Sequence, residues 1–418
     1  MLLPLLRQPA LARLFLAGIA VRALAAPSAG QAHWAQLGFP CPSVWWLGEW
    51  DLMQTGERLQ KKAWAREIRR RLGGLVLALV VLLGIACSSP KGSGTSPPGL
   101  LPPPPEPGSQ SIPLTVRTLG NSRFKLLSLR VEVAGGEAEV LLDTGSAGLR
   151  ILSSAAGRLG LERTGIPSTV TFADGTQFIG VLARAPFGLG GIQSQEPVTI
   201  QLIDQITCVE GLVATCSDNL FGPGRPFTGI LGTSLDERSP DANLFSPLPR
   251  LPGNLGSGYI LQTGGFDSVQ GLFTLGLTEA NTAGFNFRQL PQVGSFPNGT
   301  PIWRDEALQV AYSISNTSIQ NVLSPTLFDS GASDIFLNVR LLGSPPFPTS
   351  TLPPGSEWRA VLEGAFDYRI RVGFPVTPSR DRIFVNGNQR VQLLGMPLFF
   401  NADVAFDIAR GRIGFRLR

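Results

Sequence analysis

Leu141-Leu142-Asp143-Thr144-Gly145-Ser146 and, far downstream, Leu327-Phe328-Asp329-Ser330-Gly331-Ala332-Ser333 repeat one pattern: two large apolar residues, Asp, a hydroxyl, Gly, a small residue. Each copy predicts a buried strand that ends in a carboxylate. A tight turn follows, which Gly permits and which a neighbouring hydroxyl can hydrogen-bond. Two such copies, well separated, suit a protein of two halves with one copy in each. If folding brings the turns together, Asp143 and Asp329 face each other. Like charges at that range cannot both ionise, so the pair shares a proton, one member serving as base and the other as acid.

The 418 residues include 49 Gly and 35 Pro, which break the chain into short segments rich in Val, Ile, Leu, Phe and Thr. That pattern predicts many short strands and a mostly β fold. The net charge of +5 is a property of the leader, because residues 1–87 hold ten Lys or Arg against four Asp or Glu. The remainder is close to neutral, so no nucleic-acid partner is expected. The one histidine is His33. Downstream of it, Ser/His/Asp and Cys/His catalysis and His-ligated metal sites are excluded, and carboxylates remain as the reactive groups. Cys208 and Cys216 are close enough to close a small loop, as a disulfide in an oxidising compartment or as two reduced thiols.

Arg66-Glu67-Ile68-Arg69-Arg70-Arg71 precedes an apolar run, residues 72–86, that ends in Leu83-Gly84-Ile85-Ala86-Cys87. Basic flank, short apolar core, small residues and Cys resemble a bacterial lipoprotein signal, with lipidation expected at Cys87. The run is short for a membrane span, and an uncleaved anchor is the alternative. Residues 1–71 form the leader and basic flank. Met53 is an alternative start, which would leave residues 1–52 untranslated. Residues 88–111, rich in Pro, Gly and Ser, read as a tether. Export to the cell envelope follows, facing the periplasm or on the outer membrane.

From about Ile112 the pattern becomes regular. Leu129 to Val133, a turn at Ala134-Gly135-Gly136, and Ala138 to Leu142 predict a hairpin that delivers Asp143. Ser153 to Leu161 reads as a short helical segment. Val170 to Gly180 predicts a second hairpin with Asp174-Gly175 at its tip.

At this point the chain from about 112 to 418 resembles the pepsin-like aspartic proteases. Phe172 to Gly180 is similar to the family's flap. Phe227-Thr228-Gly229-Ile230-Leu231-Gly232 and Leu393-Leu394-Gly395 resemble the elements that pass beneath the two active loops. Gly271 to Gly276 resembles the strands closing the first lobe, and Val404 to Asp407 with Arg412 to Phe415 the closing strands of the second. The resemblance implies a bilobal double β-barrel with a cleft between lobes 112–280 and 281–418, and an aspartic endopeptidase that acts on polypeptides as a monomer. It implies no metal and no cofactor. Asp143 and Asp329 would be catalytic, and Thr144, Gly145, Ser146, Ser330 and Gly331 would support their loops. Thr144 and Ser330 either brace the loops against each other or are ordinary turn residues. Phe172, Asp174 and Gly175 would belong to the flap.

Three positions depart from the family. Phe172 stands where the flap usually has Tyr, Arg150 where Trp follows Leu, and Ala332 where Ser or Thr follows the second Gly. Arg150 is expected to face solvent or to pair with an acid, the alternative being an approach to Asp143. Because some members of this fold grip a partner without cutting it, a non-catalytic envelope lipoprotein that binds peptide or protein is the rival reading.

Overall fold

A computed structural model describes residues 108–119, 124–211, 216–236, 244–296, 299–373, 382–385 and 387–418. The leader, the apolar run with Cys87 and residues 88–107 of the tether lie outside the described residues. Among the described residues no helix is long and apolar enough to cross a membrane.

The described residues are mostly β. One sheet of fifteen strands runs from Asn286–Gln289 through Arg412–Leu417, Ala402–Asp407, Gly258–Thr263, Gln270–Leu275, Gln110–Thr118, Lys125–Val133 and Gly136–Asp143. It then continues through Gly229–Thr233, Ala147–Leu152, Val198–Cys208, Thr176–Ala185 and Glu162–Thr171, while off this path Phe187–Leu189 pairs with Lys125–Val133 and Ile192–Gln193 with Phe187–Leu189. The C-terminal strands therefore extend the sheet of the first half, Ala402–Asp407 lying antiparallel to Gly258–Thr263. A second sheet of seven strands contains Phe366–Arg371, Glu357–Leu362, Gln309–Ile314, Val322–Phe328, Gln392–Leu394, Ile335–Phe336 and Ile383–Phe384. Alternation drives this pairing: along Phe366–Arg371 the side chains of Phe366, Tyr368 and Ile370 are buried while Asp367, Arg369 and Arg371 are exposed. The two halves share one apolar core, in which the Phe328 ring meets Phe415 at 4.8 Å and Phe366 at 6.1 Å.

One arrangement occurs twice. Gly229–Thr233 lies parallel to Gly136–Asp143 and antiparallel to Ala147–Leu152, so it runs between the two strands joined by the first Asp loop. Gln392–Leu394 lies parallel to Val322–Phe328 and antiparallel to Ile335–Phe336, beneath the second. Each inner strand reaches its loop at a glycine. A Cβ at Gly232 would meet Ala147 C and Ser146 O at 2.7 Å, and one at Gly395 would overlap Asp334 O and Ala332 O. Only a residue without a side chain passes so close under a loop.

Two expectations need correction. The first strand starts at Gln110, two residues inside the segment read as tether. Residues 153–161 form turns rather than a helix, because their amides bond elsewhere. Gly157 N donates to Val133 O at 3.0 Å and Leu159 N to Ala134 O at 2.9 Å, which lays the segment against the turn of the first hairpin.

Candidate active site

Asp143 ends the strand Gly136–Asp143 and is 7% exposed. Its carboxylate is oriented by its own turn: Gly145 N donates to Oδ1 at 2.8 Å and Ser146 Oγ to Oδ2 at 2.5 Å. Asp329 follows Val322–Phe328, and Gly331 N donates to its Oδ1 at 2.8 Å. The same short turn thus aims both carboxylates.

The hydroxyls next to the acids lace the loops together. Thr144 Oγ1 donates to Phe328 O at 2.7 Å and accepts from Ser330 N at 2.9 Å. Reciprocally, Ser330 Oγ donates to Leu142 O at 2.8 Å and accepts from Thr144 N at 3.1 Å. Thr144 and Ser330 are almost wholly buried, so they brace the loops and are more than turn residues. Through this lacing each carboxylate lies over the other loop's glycine. The point where a Cβ on Gly331 would stand is 2.6 Å from Asp143 Oδ1 and 3.2 Å from Asp329 Oδ1, and a Cβ on Gly145 would be 2.6 Å from both oxygens of Asp329. The two Oδ1 atoms can be no farther apart than those first two distances laid end to end, a span one water can bridge.

Ser330→Ala strands a buried carbonyl, Leu142 O, and a buried amide, Thr144 N. At about 1–3 kcal/mol for each unsatisfied group, the variant is expected to lose about 2–6 kcal/mol of stability in urea unfolding. Ser330→Thr, which keeps the hydroxyl, is expected to lose much less.

Beneath the first loop stand groups with no signature in the motif. Thr233 Oγ1 reaches Asp143 O at 3.5 Å and accepts from Tyr259 OH at 2.8 Å. The Tyr259 ring packs between Phe273 and Phe406, each with centroid 5.0 Å away, and burial pushes its phenol far above the ordinary range. Ser234 Oγ donates at 2.6 Å to Asp305, a buried carboxylate from the other half that also accepts from Leu235 N at 3.3 Å. A polar residue inside an apolar run, as in Gly258-Tyr259-Ile260-Leu261, is the signal that could have marked Tyr259.

Asp334 closes the second loop. Ser333 Oγ donates to its Oδ2 at 2.6 Å, and Arg382, which lies against the Phe124 and Phe384 rings, pairs with its Oδ1 at 3.2 Å. Burial raises its pKa against the opposing pull of Ser333 and Arg382. The folded protein therefore holds this proton more tightly than the unfolded chain does. Stability from this group is lost as pH rises from the ordinary Asp value through the raised one. Asp334→Asn removes that slope, so the melting temperature of the variant minus that of the wild type is expected to increase from acid to neutral pH. A difference that falls with pH would contradict the assignment.

The hairpin read as a flap joins Glu162–Thr171 to Thr176–Ala185, with Asp174-Gly175 at its tip. The half-buried Phe172 ring meets Phe178 edge-on at 5.1 Å, and Phe178 meets Phe221 at 5.0 Å. The Asp174 carboxylate is occupied locally, accepting from Thr176 N and from Thr176 Oγ1, both at 2.9 Å. Cys208 and Cys216 form a disulfide. Of the alternatives expected for Arg150, solvent, an acid partner or an approach to Asp143, the solvent-facing one is contradicted. Every residue of Ala147–Leu152 is buried between neighbouring strands, and Arg150, 1% exposed, donates to Gln201 Oε1 at 2.7 Å. The Gln201 amide in turn donates to Ser168 O at 2.9 Å and Phe178 O at 3.2 Å, one carbonyl on each strand of this hairpin.

No family model matches the chain, and no curated protein sequence matches it.

Proposed function

We propose that this chain is an aspartic endopeptidase on a pepsin-like bilobal double barrel, exported and held to a membrane through Cys87 or an uncleaved signal. The observation that carries this reading is the crossed placement of the carboxylates, each over the other loop's glycine and each reached through the Thr144 and Ser330 lacing. Between them the two acids carry one proton. The ionised member takes a proton from water as its oxygen attacks the scissile carbon, and the protonated member donates to the carbonyl oxygen, giving a tetrahedral diol. The proton taken from water then passes to the amide nitrogen as the C–N bond breaks. The other carboxylate, left ionised by the first step, takes a proton from one diol hydroxyl as the product carboxyl forms, which restores the one-proton pair. The flap, closing over an extended polypeptide, excludes bulk water from this exchange. No metal or cofactor enters the reaction, and the protein works as a monomer.

A binding protein on the same scaffold is the second reading, favoured by Phe172, whose ring packs on Phe178 and offers no hydroxyl at the flap. Mass spectrometry of peptides released from a mixed proteome separates the two. The peptidase reading expects cleavages by the wild type that pepstatin suppresses and that Asp143→Asn does not make. Peptide binding with no cleavage from acid to neutral pH would establish the binding protein instead.

A further inference from the structure

The flap tip is tied from outside the hairpin. The strand Val198–Cys208 pairs along the whole second strand of the flap, Phe178 opposite Ile206 and, at the very tip, Thr176 opposite Cys208. The residues that immediately follow the two cysteines then complete the tie. Val209 N donates to Gly175 O at 3.0 Å. Ser217 N is shared between Asp174 Oδ2 at 3.1 Å and Thr176 Oγ1 at 2.9 Å, and the same Thr176 Oγ1 lies 3.6 Å from Cys216 Sγ. Three consecutive tip residues are thus held by two amides that are distant along the chain. What fixes those amides relative to each other is the Cys208–Cys216 disulfide, whose Cα atoms are 5.9 Å apart.

We propose that the Cys208–Cys216 disulfide and Ser217 are positioning elements of the flap, and that reduction of the disulfide by a dithiol releases the flap tip. This rests on the peptidase reading only for its effect on catalysis. The step is a two-electron exchange. A thiolate of the reductant attacks one protein sulfur, the protein S–S bond breaks as a mixed disulfide forms, and the second thiol of the reductant displaces the protein sulfur. The reductant leaves as its disulfide, and the protein ends with two thiols carrying the two protons the dithiol gave up. Both cysteines are partly exposed, so the reductant has access.

With the disulfide open, Cys216 and Ser217 are no longer held to the end of the Val198–Cys208 strand, and the tip loses Ser217 N as a donor. A loose tip must be ordered each time peptide binds, which weakens ground state and transition state alike. Reduction is therefore expected to raise KM, by about tenfold for the loss of the bonds that Ser217 N gives to Asp174 and Thr176, with kcat little changed.

The test uses the full chain, oxidised and after dithiothreitol with thiol titration to confirm opening, together with the Cys208→Ser, Cys216→Ser double variant. Hydrogen exchange at the amides of Gly175, Thr176 and Ser217 is expected to be about tenfold faster in the reduced protein and in the double variant. Amides of Gly136–Asp143 are expected to keep their protection. The double variant should not respond to dithiothreitol. Equal protection of the tip before and after verified reduction would overturn the proposal, as would loosening spread evenly through the sheet. If no peptide is cleaved in either redox state, the peptidase reading fails while the exchange data still decide whether the disulfide ties the tip.

Discussion

Asp329→Asn is expected to leave the fold intact and to lower kcat for peptide hydrolysis by at least about 10³-fold, within the range that general acid–base groups contribute. The reasoning is local. The amide has the shape of the carboxyl it replaces, and its oxygen can still accept from Gly331 N, as Asp329 Oδ1 does at 2.8 Å. The lacing runs through Thr144 and Ser330, so it does not depend on the acid itself. What is lost is a group that can both give and take a proton. KM is expected to change little, because the deficit belongs to the transition state. Asp143→Asn should behave alike, and the double variant should be no worse than either single one, since the two act as a unit. Circular dichroism and a melting curve check folding, and a folded Asp329→Asn protein with kcat within tenfold of the wild type would remove the dyad from the mechanism.

The parts of this molecule legible in its sequence are those whose physics is contiguous in the chain. Asp143 and Asp329 sit in runs where apolar residues, a hydroxyl and Gly define strand and turn over six or seven positions, and the turns at Ala134-Gly135 and Asp174-Gly175 are equally local. The illegible parts depend on partners brought in from elsewhere. Arg150 in an apolar strand reads as a cation that faces solvent or pairs with an acid, because the amide it donates to, Gln201, is 51 positions away and a side-chain amide leaves no periodic trace. Residues 153–161 carry a composition that a helix tolerates, but the Val133 and Ala134 carbonyls claim the amides of Gly157 and Leu159. Asp305 shows the same limit, since its role as acceptor for Ser234 exists only once the two halves have met. Thr144 and Ser330 lie between these cases. The residue types suggest a turn, while their buried, crosswise bonding to the opposite loop is visible only in three dimensions.

Gly145→Ala tests that crossing where it is tightest. The new methyl would stand 2.6 Å from both oxygens of Asp329, well inside van der Waals contact. The carboxylate can escape only by turning off its bond to Gly331 N, or the laced loops must part. Either way the two acids lose the geometry in which the proposed peptidase would share one water between them. A displacement of about 1 Å at a reacting group costs on the order of 10² in rate, and overpacking of a filled site costs about 1–3 kcal/mol in stability. The expected result is therefore a kcat reduced by at least about 100-fold with a smaller loss of stability. Gly294→Ala is the matched control, since its Cβ would meet only Ile302, at an ordinary 3.7 Å. It should leave kcat unchanged. Gly331→Ala, whose methyl would press on Asp143 from the other loop, should reproduce the Gly145 phenotype, because the site is built as two copies of one turn facing each other. If Gly145→Ala and Gly331→Ala both retain full activity, the carboxylates do not work across these glycines, and the reaction cannot run through a water held between them.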